Sequence, residues 1–327
     1  MSKIQEYELQ NNNAMTVKIV NLGARVSSIK VPIDQCLTEM TVTYDNPQCF
    51  LNDKAYIGAT VGPVSNRIEN GQFYLNQTRY MLDKNDRGNC LHGGEKGFSQ
   101  HLWQVNETTR TLTYLELNLE SKHMEHGLPG HLNITVGYNL TEDNALEISY
   151  YATSTQDTLL SVCNHCYFNL AETSVDNLFL SLDATRYLPI DELGIPTGDM
   201  KSVGDGDFAF NSQLKSIGLT IGSANDPQII ANRGFDHCYV INPHLAQSPV
   251  ATLIAKNTGI RMQVYTDYEG VQFYSGQHLE PPFKPYQGIC IEAQRFPNAI
   301  NNPLFPSPIL KSGALFKQHT VYKFDHV

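Results

Sequence analysis

Apolar and polar residues alternate along most of the chain. The pattern is clear in Gly71-Gln72-Phe73-Tyr74-Leu75, in Leu112 to Leu119, in Ala145 to Tyr151, in Asn177 to Leu182 and in Gly270 to Tyr274. A period of two, rich in Tyr, Thr, Val and Phe, predicts half-buried strands, because successive side chains of a strand point to opposite faces. Turn-forming clusters separate these runs: Glu69-Asn70-Gly71, Asp86-Arg87-Gly88-Asn89, Thr141 to Asn144 and Asn257-Thr258-Gly259. No long segment keeps a 3.6-residue apolar stripe, and Arg25 to Lys30 is too short to judge. The stretch Lys201 to Gln228, rich in Gly, Asp and Ser, reads as a long loop. Many short strands at short spacing predict a large all-β sandwich rather than alternating βαβ units. Composition nowhere shifts in the manner of a linker and no fixed-period repeat is present, so residues 1–327 are expected to form a single domain.

Charge and cysteine usage narrow the setting. Lys and Arg number 23 against 33 Asp and Glu, a formal net charge of −10, which argues against nucleic acid or an anionic membrane as partner. The segment Met1 to Val20 is polar, with Glu6, Glu8 and a run of Asn, and lacks the basic and apolar regions of a secretory signal. No apolar run approaches the ~18 residues of a membrane helix. Seven cysteines, an odd number at scattered positions, fit reduced thiols better than a disulfide framework. A soluble cytoplasmic protein is expected, as a monomer or homodimer.

Three segments carry candidate chemistry: Asn89 to Gly94 with His92, Asn164 to Leu170 with His165, and Ile291 to Pro297 with Glu292. Each sets one titratable group among small, amide or aromatic residues in a strand-like context. Two imidazoles and a carboxylate serve acid–base chemistry at neutral pH. Glu292 follows the apolar run Gly288 to Ile291, so it is either salt-bridged or desolvated, and desolvation is what a base near neutrality needs. His92 before Gly93-Gly94 is a turn residue or a ligand-facing one. Arg67 is a surface charge or a planar donor to hydroxyls, and Asp236 a turn cap or a hydroxyl acceptor. Cys163 and Cys166 form a Cys-x-x-Cys pair, yet lack the helix-opening context of a redox motif. Zinc would need further ligands from Cys90, His92, His237 and Cys238, none at zinc spacing, so no metal is expected and the thiols read as small buried apolar groups.

Taken together, the segments resemble those of the aldose 1-epimerase (galactose mutarotase) family. The resemblance runs through Gly62 to Phe73, Leu91 to Phe98 with Trp103, Asn164 to Leu170, and Leu188 to Glu192 with Ile195 to Gly198. It continues through Phe235 to Val240, Thr266-Asp267, Gln272 to Gly276, and Glu292 to Gln294 with Pro297 to Ala299, spanning roughly residues 15 to 325 in order. It implies a β-supersandwich of the galactose mutarotase type, no cofactor, and a small-molecule aldose as partner. Position by position, Glu292 resembles the family's general base, His165 its general acid and His92 its second active-site histidine. Arg67, Asp236 and Asn66 resemble substrate-binding residues. Pro63, Cys166 and Glu172 depart from the family's usual arginine, threonine and glycine.

The implied reaction interconverts the α and β anomers of aldohexoses such as galactose and glucose by opening and reclosing the ring. A hexose-6-phosphate 1-epimerase is the nearest alternative and would need cations such as Lys96 and Arg87 at the pocket. A non-catalytic sugar-binding protein on the same fold is the other, since function lives in the site rather than the fold.

Overall fold

The computed structural model describes residues 3–34, 36–211, 213–241 and 248–327. Two large antiparallel sheets dominate it. The first has nine strands in the spatial order Gln104–Val105, Tyr114–Ser121, Leu132–Leu140, Ala145–Ser154, Phe316–His326, Ile260–Thr266, Ala251–Ala255, Leu178–Leu182 and Lys215–Ser216. The second has six, in the order Tyr167–Phe168, Ile289–Gln294, Gly270–Tyr274, Asp236–Val240, Arg186–Tyr187 and Lys201–Ser202. A four-stranded meander from Glu6 to Glu39 completes the main framework.

The all-β sandwich expected from the alternation is what the chain forms, and the five alternating runs each fall on a strand. The two large sheets face each other across one apolar core. Phe168 of the six-stranded sheet packs on Tyr322 of the nine-stranded sheet at 4.9 Å between ring centroids, and the Tyr322 hydroxyl donates to the Ile291 carbonyl at 3.4 Å. The long-loop expectation for Lys201 to Gln228 is corrected. The stretch carries short strands at Lys201–Ser202 and Lys215–Ser216, an α-helix at Ile217–Gly222, and the start of a second helix at Pro227–Asn232; its Ser212 lies outside the described residues. Six-residue helices span less than two turns, too short to print a 3.6-residue stripe. Their caps are nonetheless local and physical. Ser216 accepts from the Leu219 amide, Asp226 accepts from the Gln228 amide, and Pro227 occupies the first turn.

One buried ion pair anchors the loop that leads into the site. Arg25, fully buried, donates from Nη1 to Asp53 Oδ2 at 2.6 Å and to the Ile57 carbonyl at 2.8 Å. Asp53 also accepts from the Ala55 and Ile57 amides, so residues 53 to 57 are wound around a single carboxylate. Replacing Asp53 with alanine strands the Arg25 charge in the core. We expect Asp53→Ala to lower the unfolding free energy by ~3–5 kcal/mol, read by urea denaturation. A loss within ±0.5 kcal/mol, as at a surface site, would refute the anchoring role.

Candidate functional site

The alternation that builds the six-stranded sheet also builds the site. In strand Ile289–Gln294 the side chains of Ile289, Ile291 and Ala293 enter the common core. Cys290, Glu292 and Gln294 must therefore point to the opposite face. In Gly270–Tyr274, Val271 and Phe273 face the core, which turns Gln272 and Tyr274 the same way as Glu292. Gln272 stands directly across from Glu292, and Asp236 across from Tyr274. Asp236, Gln272 and Glu292 thus form a polar row on one face of three adjacent strands. The Gln272 amide donates to Asp236 Oδ1 at 2.7 Å.

The histidines arrive from loops. His165 sits between the short strands Cys163–Asn164 and Tyr167–Phe168, its amide donating to the Ala59 carbonyl and its carbonyl accepting from Gly58. Its Nε2 lies 3.6 Å from Glu292 Oε1, and both side chains are almost wholly buried. On the far side of the ring, Nδ1 meets the Cys290 thiol at 3.5 Å. His92 follows the strand Cys90–Leu91, which pairs with Arg67–Ile68. Gly93 adopts φ +87°, and a Cβ there would sit 2.0 Å from the Gly62 carbonyl oxygen, so only glycine lets the turn close. The His92 and His165 rings meet edge to face at 5.2 Å, and Tyr56 packs on His92 at 4.7 Å.

Arg67 is clamped from both sides. Its Nε donates to Asp86 Oδ2 at 2.7 Å and its Nη1 to Asp236 Oδ2 at 3.4 Å. Gly194, at φ +78°, lies over the guanidinium so closely that a Cβ would stand 2.9 Å from Nη1. Asn66 lines the same cavity, with its side-chain carbonyl taken by the Arg67 amide. All six residues singled out from the sequence, Glu292, His165, His92, Arg67, Asp236 and Asn66, line one cavity of about 790 Å³. Sequence reasoning passed over Gln272, Asp86 and Tyr56. Asp86 read only as a turn residue, and Gln272 was visible only through its strand phase.

Burial sets the electrostatics. Desolvation raises the Glu292 carboxyl above its ordinary 4.5; Asp236 adds to the rise, while His165, the Cys163 thiol and Arg67 oppose it. Desolvation, with His165 and Arg67 nearby, holds His92 well below 6.5, so it is neutral at pH 7. Its tautomer follows from one contact. The Asn66 amide donates to His92 Nδ1 at 3.1 Å, so the ring proton sits on Nε2 and faces away from that amide as a donor.

That tautomer bears on metal binding. His92, His165 and Glu292 offer ligand atoms within 4.8 Å of one another, a set that could hold zinc. A ligating imidazole needs a free lone pair toward the ion, yet the His92 lone pair is given to Asn66. The arrangement suits a hydrogen-bond donor, not a metal ligand. The cysteines weighed as zinc ligands do not converge: Cys90, Cys166 and Cys238 lie in three different apolar clusters, and Cys163 alone of the four bonds a member of the set, Glu292, at 3.4 Å. His237 is enclosed by Phe208 and Tyr187.

Fold and cavity together define a β-supersandwich protein with a buried carboxylate–imidazole pair and a clamped arginine in a polar cleft. The sequence model of the family described as aldose 1-epimerase matches residues 5–323. The aldose 1-epimerase of Escherichia coli (strain K12) is 32% identical over 330 residues, covering 97% of this chain and 94% of that protein. The galactose mutarotase of Bos taurus is 32% identical over 335 residues, covering 98% and 94%. The crystal structure of the GalM/aldose epimerase homologue from C. elegans superposes with a TM-score of 0.92 at 27% identity, covering 99% of this chain and all of that one. That of galactose 1-epimerase from Lactobacillus acidophilus NCFM gives 0.89 at 28%, covering 99% and 95%. The chain belongs to the aldose 1-epimerase family.

The raised carboxyl has a consequence for stability. A group that binds its proton more tightly when folded makes the native state less stable as pH climbs from 4.5 through the folded value. The cost therefore grows as pH rises above 4.5. Glu292→Gln removes it and should melt above the wild type at pH 7, by about 2 °C for each kcal/mol recovered. The gap should close below pH 4.5. Equal melting temperatures at pH 7 would show that the carboxylate carries no net burial cost.

Proposed function

We propose that the protein interconverts the α and β anomers of free aldohexoses such as galactose and glucose by acid–base opening and reclosure of the ring. The observation that carries this reading is the 3.6 Å approach of His165 Nε2 to Glu292 Oε1 in a cavity wall. The hydroxyl oxygen and the ring oxygen of a hemiacetal share one carbon. A base and an acid this close to each other can serve both oxygens at once. Glu292 takes the proton from the C1 hydroxyl while His165, as the imidazolium, gives one to the ring oxygen. After rotation about C1–C2 the roles reverse and the ring closes on the other face. His92, neutral and donating from Nε2, steadies developing charge near the ring oxygen. Asp236, Arg67 and Asn66 hold the remaining hydroxyls, and Gln272 fixes the Asp236 carboxylate. Burial holds the Tyr56 hydroxyl up at about 12, so beside His92 it remains a neutral donor.

Two alternatives weigh less. For a sugar phosphate, Lys96 is absent from the cavity wall and Arg87 is committed to the Glu192 and Leu193 carbonyls at 3.1 and 2.9 Å. A non-catalytic binder has no use for a desolvated carboxylate paired with an imidazole. No helix among the described residues is long and apolar enough to cross a membrane. All seven cysteines are free thiols, which supports a reducing, cytoplasmic setting, as monomer or homodimer.

Polarimetry on freshly dissolved α-D-galactose and α-D-glucose tests the reading. Glu292→Gln should cut kcat by ~10²–10⁴, and His165→Asn should fall by a similar factor with a smaller change in KM. Turnover near wild type in Glu292→Gln would overturn the assignment of the base.

The arginine clamp is tested separately. Asp236→Ala and Gly194→Ala should mainly raise KM, on the order of tenfold, because each disturbs a group that holds ground state and transition state alike. A fall in kcat at unchanged KM would move these residues into the chemical step instead.

A further inference from the structure

Cys163 carries no part of the reaction just described, yet it touches the base. Its Sγ lies 3.4 Å from Glu292 Oε2, while the other carboxylate oxygen, Oε1, faces His165. The thiol is fully buried on the strand Cys163–Asn164, packed beside Ala59 and Val61. We propose that Cys163 is a positioning residue for the general base: its thiol secures Oε2 with a deliberately weak donor and leaves Oε1 to meet the proton of the substrate. The inference rests on Glu292 being that base.

The choice of a thiol is physically specific. A buried carboxylate oxygen with no donor is costly, which favours protonation of the carboxyl and disorder of its rotamer. A hydroxyl or amide donor would fix the rotamer but stabilise the anion by a full hydrogen bond and weaken it as a base. A thiol lies between, since S–H is a weak donor. It also stays protonated: desolvation first, then the Glu292 charge, push the Cys163 thiol well above its ordinary 9.0. The other charged groups around Glu292 are His165 and Arg67, which favour the anion, and Asp236, which opposes it. Cys290, Tyr167, Tyr274 and Cys238 lie within electrostatic range of it, as does Tyr322 from the core side of the strand, and burial raises each of them, so they are neutral at working pH. Cys163 is thus the neutral neighbour that bonds the carboxylate directly, and changing it alters hydrogen bonding without altering charge.

The test is the pH profile of kcat/KM for mutarotation of α-D-galactose in the wild type, Cys163→Ser and Cys163→Ala, with Glu292→Gln alongside. The acidic limb reports the base of the free enzyme. Cys163→Ser should shift that limb to lower pH by about half a unit or more, the effect of exchanging a weak donor for one of ordinary strength. Cys163→Ala should shift it to higher pH. Opposite displacements from two substitutions at one site are what a packing defect would not produce. If both variants keep the wild-type limb, or move it the same way, the positioning role is refuted while a dead Glu292→Gln leaves the base in place. If Glu292→Gln turns over normally, the base assignment falls first and the role of Cys163 with it. Should Cys163→Ala fail to fold, Cys163→Ser decides alone: a limb that stays or rises refutes the role.

Discussion

A carboxylate withdrawn from water on the middle of a sheet is the constraint around which the site is organised. Glu292 occupies a strand whose alternate residues form the core, so its own side chain emerges on the opposite face and is still only 2% exposed. An ionised group there is expensive unless neighbours compensate it. The compensation is partial by construction. His165 supplies a close cation when protonated, Arg67 a more distant one already shared between two aspartates, and Cys163 a weak hydrogen bond. Full compensation would give a stable ion pair and a poor base.

The rest of the site is arranged so that this partial balance persists. Free of other partners, the Arg67 charge would favour the Glu292 anion more strongly. Instead Asp86 and Asp236 hold the guanidinium, and Gly194 leaves room for it to lie flat beneath the loop. Asp236 in turn is fixed by Gln272, which stands between it and Glu292 and keeps two carboxylates from sharing one place. Farther out, the Arg25–Asp53 pair winds residues 53 to 57 so that Tyr56 reaches His92. In that pair Arg25 Nη1 and Nη2 and the Asp53 carboxylate all have hydrogen-bond partners, whereas among the described residues the Glu292 carboxylate has only His165 at 3.6 Å and a thiol at 3.4 Å. The two buried pairs are thus compensated to different degrees.

How far the sequence discloses this depends on the range of each interaction. Strand phase is local, so the alternation through Gly270 to Tyr274 and the lone glutamate after Gly288 to Ile291 were readable in advance. The turn glycines after His92 were readable for the same reason. The two six-residue helices were not, because a stripe needs more turns than they possess, and the Gly, Asp and Ser around them carry the composition of a loop. Asp86, nineteen residues from the arginine it clamps, carries only the signature of a turn. The placement of all six anticipated residues in one cavity came from resemblance between segments, since no local pattern shows that residues 66, 165 and 292 meet. Gln272 was within reach: once Glu292 is placed on a strand, the cross-strand partner of a buried acid is the next position to ask about.

His92 shows how one backbone contact selects among chemistries that the same side chains permit. Two imidazoles and a carboxylate at this spacing are the ligand set of many zinc sites. Had Asn66 presented its carbonyl to Nδ1, the proton would sit there, and the Nε2 lone pair would be free to bind a metal ion. Asn66 instead adopts φ +61° and turns its amide toward Nδ1. The proton is driven to Nε2, and the ring becomes a neutral donor. Asparagine enters the left-handed region more readily than most residues, so the residue type at position 66 makes that orientation accessible. An Asn66 variant that reorients this amide would convert a proton-handling site into one with an open imidazole lone pair. The division between hydrogen-bond donor and metal ligand is therefore set in the backbone beside the site, one step removed from the side chains at the centre of the cavity.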